Sequence, residues 1–103
     1  MHPTIFFSLA LSLVCAAAQA QDPPDIEALK KGMPKEVASF ISRAFGCNHW
    51  GGEEAYDADR AKEIKEAVRK LGCDKLSADE TTLRKKYKDD AKVLRAMKKA
   101  MEP

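Results

Sequence analysis

The stretch PKEVASFISRAFG, residues 34–46, decides the fold that the sequence predicts. Its apolar residues recur at intervals of three and four, so a helix would place them all on one face. Pro34 is favoured at the first position of a helix, and Gly46 is typical of the residue that ends one. We therefore predict a helix from Pro34 to Gly46 whose buried face is formed by Val37, Phe40, Ile41, Ala44 and Phe45.

A second helix is predicted after this one. Asp57 is a good N-cap residue, because its carboxylate can accept a hydrogen bond from a backbone N–H of the first turn. Gly72 is expected to end the helix. Its apolar face would consist of Ala61, Ile64, Val68 and Leu71.

The C-terminal part of the chain predicts one or two further helices. Ser77 and Glu80 have the spacing of a capping box, which places the start of a helix at Ala78 and its end near Tyr87. The pair Asp89-Asp90 either interrupts the helix or restarts it as a fourth one that reaches Met101. A single long helix over the same residues is the alternative, because the apolar spacing continues across the pair.

Residues 21–103 contain only eight β-branched residues and no alternating apolar pattern. We therefore predict an all-α protein, a small bundle of three to four short helices. The chain has 103 residues, and a domain of this size buries only about 60–65% of its unfolded surface. A multidomain architecture is excluded, and a large enzyme core is disfavoured.

Residues 1–20 have the pattern of a cleaved secretory signal peptide. They contain no Asp, Glu, Lys or Arg, and they end in the A-x-A site Ala18-Gln19-Ala20. We expect export to the periplasm of a Gram-negative cell, or otherwise secretion, with no transmembrane segment in the mature chain. Residues 21–33 are predicted to be an N-terminal extension or a short helix, and residues 34–103 a single helical domain.

Two cysteines, Cys47 and Cys73, remain in the mature chain. An even number of cysteines in a small exported domain indicates a disulfide, and only one intramolecular pairing is possible. The weaker alternative is a soft-metal site formed by Cys47, His49 and Cys73, with a nearby carboxylate as fourth ligand. We predict no cofactor.

The segment after Cys47 is a candidate binding loop. It contains His49 and Trp50, the only residues of their types in the mature chain, followed by two glycines. Trp50 either closes the end of the core or, with Tyr56, contacts a partner. An acid–base pair formed by His49 and Glu53 or Glu54 is the chemical alternative.

The C-terminal third of the chain is basic. Residues 60–103 contain 14 basic and 8 acidic residues, whereas residues 21–59 contain 4 basic and 8 acidic residues. On one helix, five cations would form a stripe that suits an anionic surface or an acidic protein, unless it is an ordinary solvated face. This candidate basic face consists of Lys85, Lys88, Lys92, Arg95 and Lys99.

These features favour a small exported binding protein that acts stoichiometrically on a partner, such as an inhibitor, an immunity-type protein or an envelope accessory protein. The partner would be another protein or an anionic envelope surface. Nucleic acid is disfavoured by the predicted export. The alternatives are a metal- or small-ligand-binding protein that uses Cys47, His49 and Glu53 or Glu54, and thirdly a small enzyme that uses His49 with a carboxylate.

Overall fold

The computed structural model describes residues 24–102, so the predicted signal peptide lies outside the described residues. Within this range the protein contains five α-helices and no strand, which confirms the all-α prediction. No helix in the range is long and apolar enough to cross a membrane. The helices are α1 (Pro24–Lys30), α2 (Lys35–Gly51), α3 (Ala58–Leu71), α4 (Leu76–Lys86) and α5 (Ala91–Met101), with a 3₁₀ turn at Cys73–Lys75 before α4.

The hydrophobic core forms around the first half of α2. This helix packs against each of the other four, and most extensively against α5. Phe40, Ile41 and Met97 are among the largest fully buried side chains of the described residues. The buried positions of the two helices have the same spacing: Val37, Phe40, Ile41 and Ala44 on α2, and Val93, Ala96, Met97 and Ala100 on α5.

The residues before Pro34 form a short helix, one of the two forms that the sequence allowed. α1 packs against α2 and α5, and Ile26 enters the core with 4% of its surface exposed. Gly32 has a φ of 74°, in the left-handed region that favours glycine, and it turns the chain from α1 towards α2.

The first long helix ends later than the sequence predicts. α2 continues through Gly46 to Gly51, so the predicted stop at Gly46 is wrong. A Cβ atom on Gly46 would lie 2.8 Å from Cδ1 of Leu71 on α3. The glycine is therefore explained by the close approach of two helices and not by a helix end.

The predicted boundaries of the next helix are confirmed. The Asp57 carboxylate accepts a hydrogen bond from the backbone N–H of Arg60 at 2.8 Å, and Gly72 ends α3 with a φ of 64°. No residue of α3 is fully buried, and its main tertiary contacts are with α2. α3 therefore lies beside the core and contributes little to it.

The last two helices are separate, and the predicted capping box is wrong. α4 begins at Leu76, directly after the 3₁₀ turn, so Ser77 lies inside the helix and no side chain caps its start. Asp90 caps α5 by accepting a hydrogen bond from the backbone N–H of Val93 at 3.1 Å. The alternative of one long helix is therefore also wrong.

The predicted Cys47–Cys73 disulfide is confirmed, with an S–S distance of 2.05 Å and a Cα–Cα distance of 5.7 Å. One turn before Cys47, the Arg43 guanidinium donates hydrogen bonds to the carbonyl oxygens of Leu71 and Gly72. The same group pairs with Asp79 on α4 at 2.8 Å. The disulfide and Arg43 together fix the C-terminal end of α3 to α2 and α4.

Loss of the disulfide is expected to destabilise the protein strongly. Cys73→Ser should lower the free energy of unfolding by about 2–5 kcal/mol, because the bridge restricts the unfolded chain. Urea denaturation of the purified protein measures the change. Cys47→Ser and the double variant should give the same loss, and equal stability of the wild type with and without reductant would contradict the prediction.

Gly46→Ala tests the close approach of α2 and α3. Alanine is favoured over glycine in a helix by about 1 kcal/mol, but here the added methyl group requires Leu71 to move. We expect no stabilisation in the wild type and stabilisation in a Leu71→Ala background, measured by urea denaturation in a double-mutant cycle. Gly51→Ala is the matched control, because a Cβ atom there would meet no atom within 4 Å other than the neighbouring residues and backbone of its own helix. Equal stabilisation by Gly46→Ala in both backgrounds would argue against the contact.

Candidate functional site

A groove of about 630 Å³ lies between α1 and α5. Its apolar lining, which we call the floor, consists of Ala28, Leu29, Met33 and Ala96. Its charged lining, which we call the rim, carries Lys31, Lys92, Arg95, Lys98 and Lys99, and Glu102 is the one carboxylate among the lining residues between 24 and 102.

The two sides of the groove have different origins in the sequence. On α5, Lys92, Arg95 and Lys99 are spaced by three and four residues, so they lie along one side of the helix. Their neighbours on the adjoining face, which include Ala96, are buried against the core. The other side of the groove comes from α1 and from the turn that ends at Met33. Ile26 of α1 is buried in the core, and Met33 packs against it.

Most of the basic rim has no acidic partner within the described residues. Lys99 pairs with Glu102 at 3.6 Å. Lys31, Lys92, Arg95 and Lys98 are exposed and form no ion pair with any residue between 24 and 102. The groove therefore presents unpaired positive charge beside an apolar surface, an arrangement that suits an anionic ligand with an apolar part.

The structure divides the predicted basic face. Lys92, Arg95 and Lys99 lie on the rim of the groove. Lys85 lies near the end of α4 and Lys88 in the turn after it, and neither lines the groove. The interruption at Asp90, which caps α5, separates the two sets.

Sequence reasoning missed several residues of the groove. Lys98 lies three residues after Arg95, so helical spacing alone was a signal that it belongs to the same side of α5. Lys31 and Met33 carry no such signal, because they are more than 50 residues away in the chain. Only the packing of α1 against α5 brings them to the groove.

The predicted binding loop separates into a helical part and an exposed part. His49 and Trp50 lie in the last turn of α2, whereas Glu54 and Tyr56 lie between α2 and α3. Tyr56 is 80% exposed. The His49 ring is exposed and meets the Trp50 ring edge-on, with 5.6 Å between the centroids.

Trp50 packs with Arg60 and lies outside the core. The Arg60 guanidinium carbon is 5.0 Å from the centre of the indole ring. The same guanidinium donates two hydrogen bonds to Glu53, and it pairs with Glu63 at 2.8 Å. The hydrogen bonds to Glu53, and then the one to Glu63, raise the pKa of Arg60. We name this set of side chains the Trp50 cluster; it joins the end of α2 to the start of α3.

The disulfide uses both thiols of the predicted metal site, because Cys47 and Cys73 are bonded to each other. Between residues 24 and 102, no group of three or more His, Cys, Asp or Glu side chains has a geometry that holds a metal ion. The His49 ring contacts the Trp50 ring edge-on, and the Glu53 carboxylate accepts a hydrogen bond from Arg60. The structure does not bring His49 and Glu53 together as a hydrogen-bonded pair.

A second polar cluster joins α2 to the end of α4. Glu36 pairs with Lys86 and accepts a hydrogen bond from the Tyr87 hydroxyl. The contact with Lys86, and then the one with Tyr87, hold the pKa of Glu36 below its ordinary value. The hydrogen bond to Glu36 raises the pKa of Tyr87. The contacts of the ionised Glu36 carboxylate stabilise the fold at pH values above the ordinary pKa of a glutamate. This stabilisation is lost as the pH falls through the lowered pKa of Glu36.

The position of Trp50 predicts a modest structural contribution. Trp50→Ala should lower the free energy of unfolding by about 1–2 kcal/mol, less than a core aromatic, because part of the side chain is exposed and the indole packs on Arg60 instead of in the core. Phe40→Ala is the matched control in the core and should cost about 3–5 kcal/mol. Chemical denaturation of both variants measures the difference. A loss for Trp50→Ala as large as that for Phe40→Ala would show that Trp50 belongs to the core after all.

The α1–α5 groove differs from the two polar clusters in what its side chains contact. The Trp50 cluster and the Glu36 contacts consist of side chains that bind one another. Four of the five cations on the rim of the groove form no ion pair with any residue between 24 and 102. In comparisons with known proteins, no family model, no curated protein and no solved structure matches the chain.

Proposed function

We propose that this protein is a small exported binding protein that captures an acidic, amphipathic segment of a partner protein in the α1–α5 groove. The stoichiometry is one segment for each chain. An inhibitor, an immunity-type protein and an envelope accessory protein all act in this way. The observation that carries the proposal is the combination of an apolar floor with five cations on the rim.

The chemistry of the groove selects the class of ligand. Apolar surface binds apolar side chains without regard to direction, and it supplies most of the affinity of a helix that lies in a groove. The rim selects for carboxylates and steers an acidic ligand towards the groove. A segment with Leu or Phe on one face and Asp or Glu at its edges satisfies both requirements.

Export is supported by two features that are independent of the groove. Residues 1–20 have the pattern of a signal peptide. Cys47 and Cys73 form a disulfide, and disulfides persist in oxidising compartments such as the periplasm and the extracellular space. The partner would then be met in the periplasm of a Gram-negative cell, or otherwise outside the cell.

Charge reversal on the rim is expected to weaken capture. The probe is a fluorescein-labelled synthetic peptide that forms an amphipathic helix with Leu on one face and Glu on the other. Lys92→Glu combined with Arg95→Glu should weaken binding at least tenfold, measured by fluorescence anisotropy. Lys92 lies in the first turn of α5, where a carboxylate is favoured, so this variant should remain folded. Circular dichroism checks that it does.

The matched control reverses two charges away from the groove. Lys62 and Lys65 are exposed on α3 with the same spacing of three residues, and neither lines the groove. Lys62→Glu combined with Lys65→Glu should bind the peptide as the wild type does. Affinity for the wild type should fall as salt is added, because the screening length decreases from about 10 Å at 0.1 M to about 3 Å at 1 M. Equal binding by both charge-reversed variants would refute the groove as the binding site.

A lipid surface is tested in the same experiment. Vesicles that contain phosphatidylglycerol replace the peptide, with phosphatidylcholine vesicles as the uncharged comparison. Binding to the anionic vesicles without binding to the peptide would overturn the proposed partner and assign the basic face to a membrane surface. Binding to the peptide alone supports the proposal.

A further inference from the structure

The loop between α2 and α3 has the properties of a ligand for the groove. Tyr56 in this loop is 80% exposed, more than any other large apolar side chain of residues 24–102. Exposed aromatic side chains with little to lose in conformational entropy are common anchors of protein interfaces. We refer to residues 53–59, which include the first two residues of α3, as the acidic loop, because they contain Glu53, Glu54, Asp57 and Asp59 and no basic residue.

Two of the four carboxylates are free to meet a cation. Glu54 and Asp59 are exposed and form no hydrogen bond or ion pair with any residue between 24 and 102. Glu53 is bound to Arg60, and Asp57 caps α3. The two occupied carboxylates fix the start of α3 and the exit of α2, so the loop presents Tyr56 and the free carboxylates from an ordered base.

The acidic loop and the groove lie towards opposite ends of α2. Met33, which lines the groove, lies two residues before the start of α2, whereas the acidic loop begins two residues after its end. The 17 residues of α2 span about 25 Å, because each helical residue rises by about 1.5 Å. The loop of one chain is therefore held away from the groove of the same chain, and the two surfaces can meet only between copies.

We propose that the acidic loop of one copy docks in the α1–α5 groove of a second copy. Tyr56 lies on the apolar floor, and Glu54 and Asp59 face the basic rim. The two surfaces differ, so the contact is head-to-tail and leaves one free groove and one free loop on the pair. The inference rests on the proposed function of the groove, because a second copy and an acidic partner compete for the same surface.

Two variants that are each defective in one surface test the inference. The loop variant carries Tyr56→Ser and Glu54→Lys, and its groove is intact. The groove variant carries Lys92→Glu and Arg95→Glu, and its loop is intact. Analytical ultracentrifugation should show association of the wild type that grows with concentration, whereas each variant alone should be monomeric. An equimolar mixture of the two variants should form a 1:1 dimer, since it contains one intact loop and one intact groove.

The control and the competing ligand separate this inference from the proposed function. Lys62→Glu combined with Lys65→Glu should associate as the wild type does. An excess of the acidic peptide should dissociate the wild-type assembly, because it occupies the groove. A wild type that is monomeric at millimolar concentration, or a variant mixture that forms no dimer, overturns the inference. Binding of the peptide by such a monomeric protein leaves the proposed function standing, whereas self-association without peptide binding overturns the proposed function alone.

Discussion

One face of α2 must be buried, and the other helices are placed by that requirement. Val37, Phe40 and Ile41 have at most 1% of their surface exposed, and α2 contacts each of the other four helices. α1 has 7 residues and α5 has 11, lengths at which an isolated helix is marginal in water. Their helical form therefore depends on the apolar surface that α2 offers, and the α1–α5 groove exists because both helices pack on this one helix.

The parts of the fold that could be predicted are those with local causes. Asp57 caps α3 and Gly72 ends it because a carboxylate and a left-handed residue act on backbone groups within one turn. The apolar spacing from Val37 to Ala44 predicts the buried face of α2 for the same reason, since helical periodicity is a property of consecutive residues. Cys47 and Cys73 allow only one pairing, so the disulfide needed no knowledge of the fold.

The predictions were wrong where the role of a residue depends on a partner that is distant in the chain. Gly46 resembles a helix end, but its small size accommodates Leu71, which is 25 residues later in the chain. Ser77 and Glu80 have the spacing of a capping box, yet the helix begins earlier, directly after the 3₁₀ turn that starts at Cys73. The basic face was located in part, because α5 shows its own stripe, whereas the contribution of α1 appears only when the two helices are packed together.

The peripheral position of α3 determines how the molecule fluctuates. Backbone amides exchange their hydrogens when a segment opens, and segments with few buried side chains open most readily as a cooperative unit. No residue of α3 is fully buried, so this helix should open while the core around Phe40 and Met97 remains closed. The Cys47–Cys73 bridge keeps the C-terminal end of α3 attached to α2 during such an opening. The opened segment therefore stays close to α2. To close again, α3 has only to re-form its helix, without a search for its docking position.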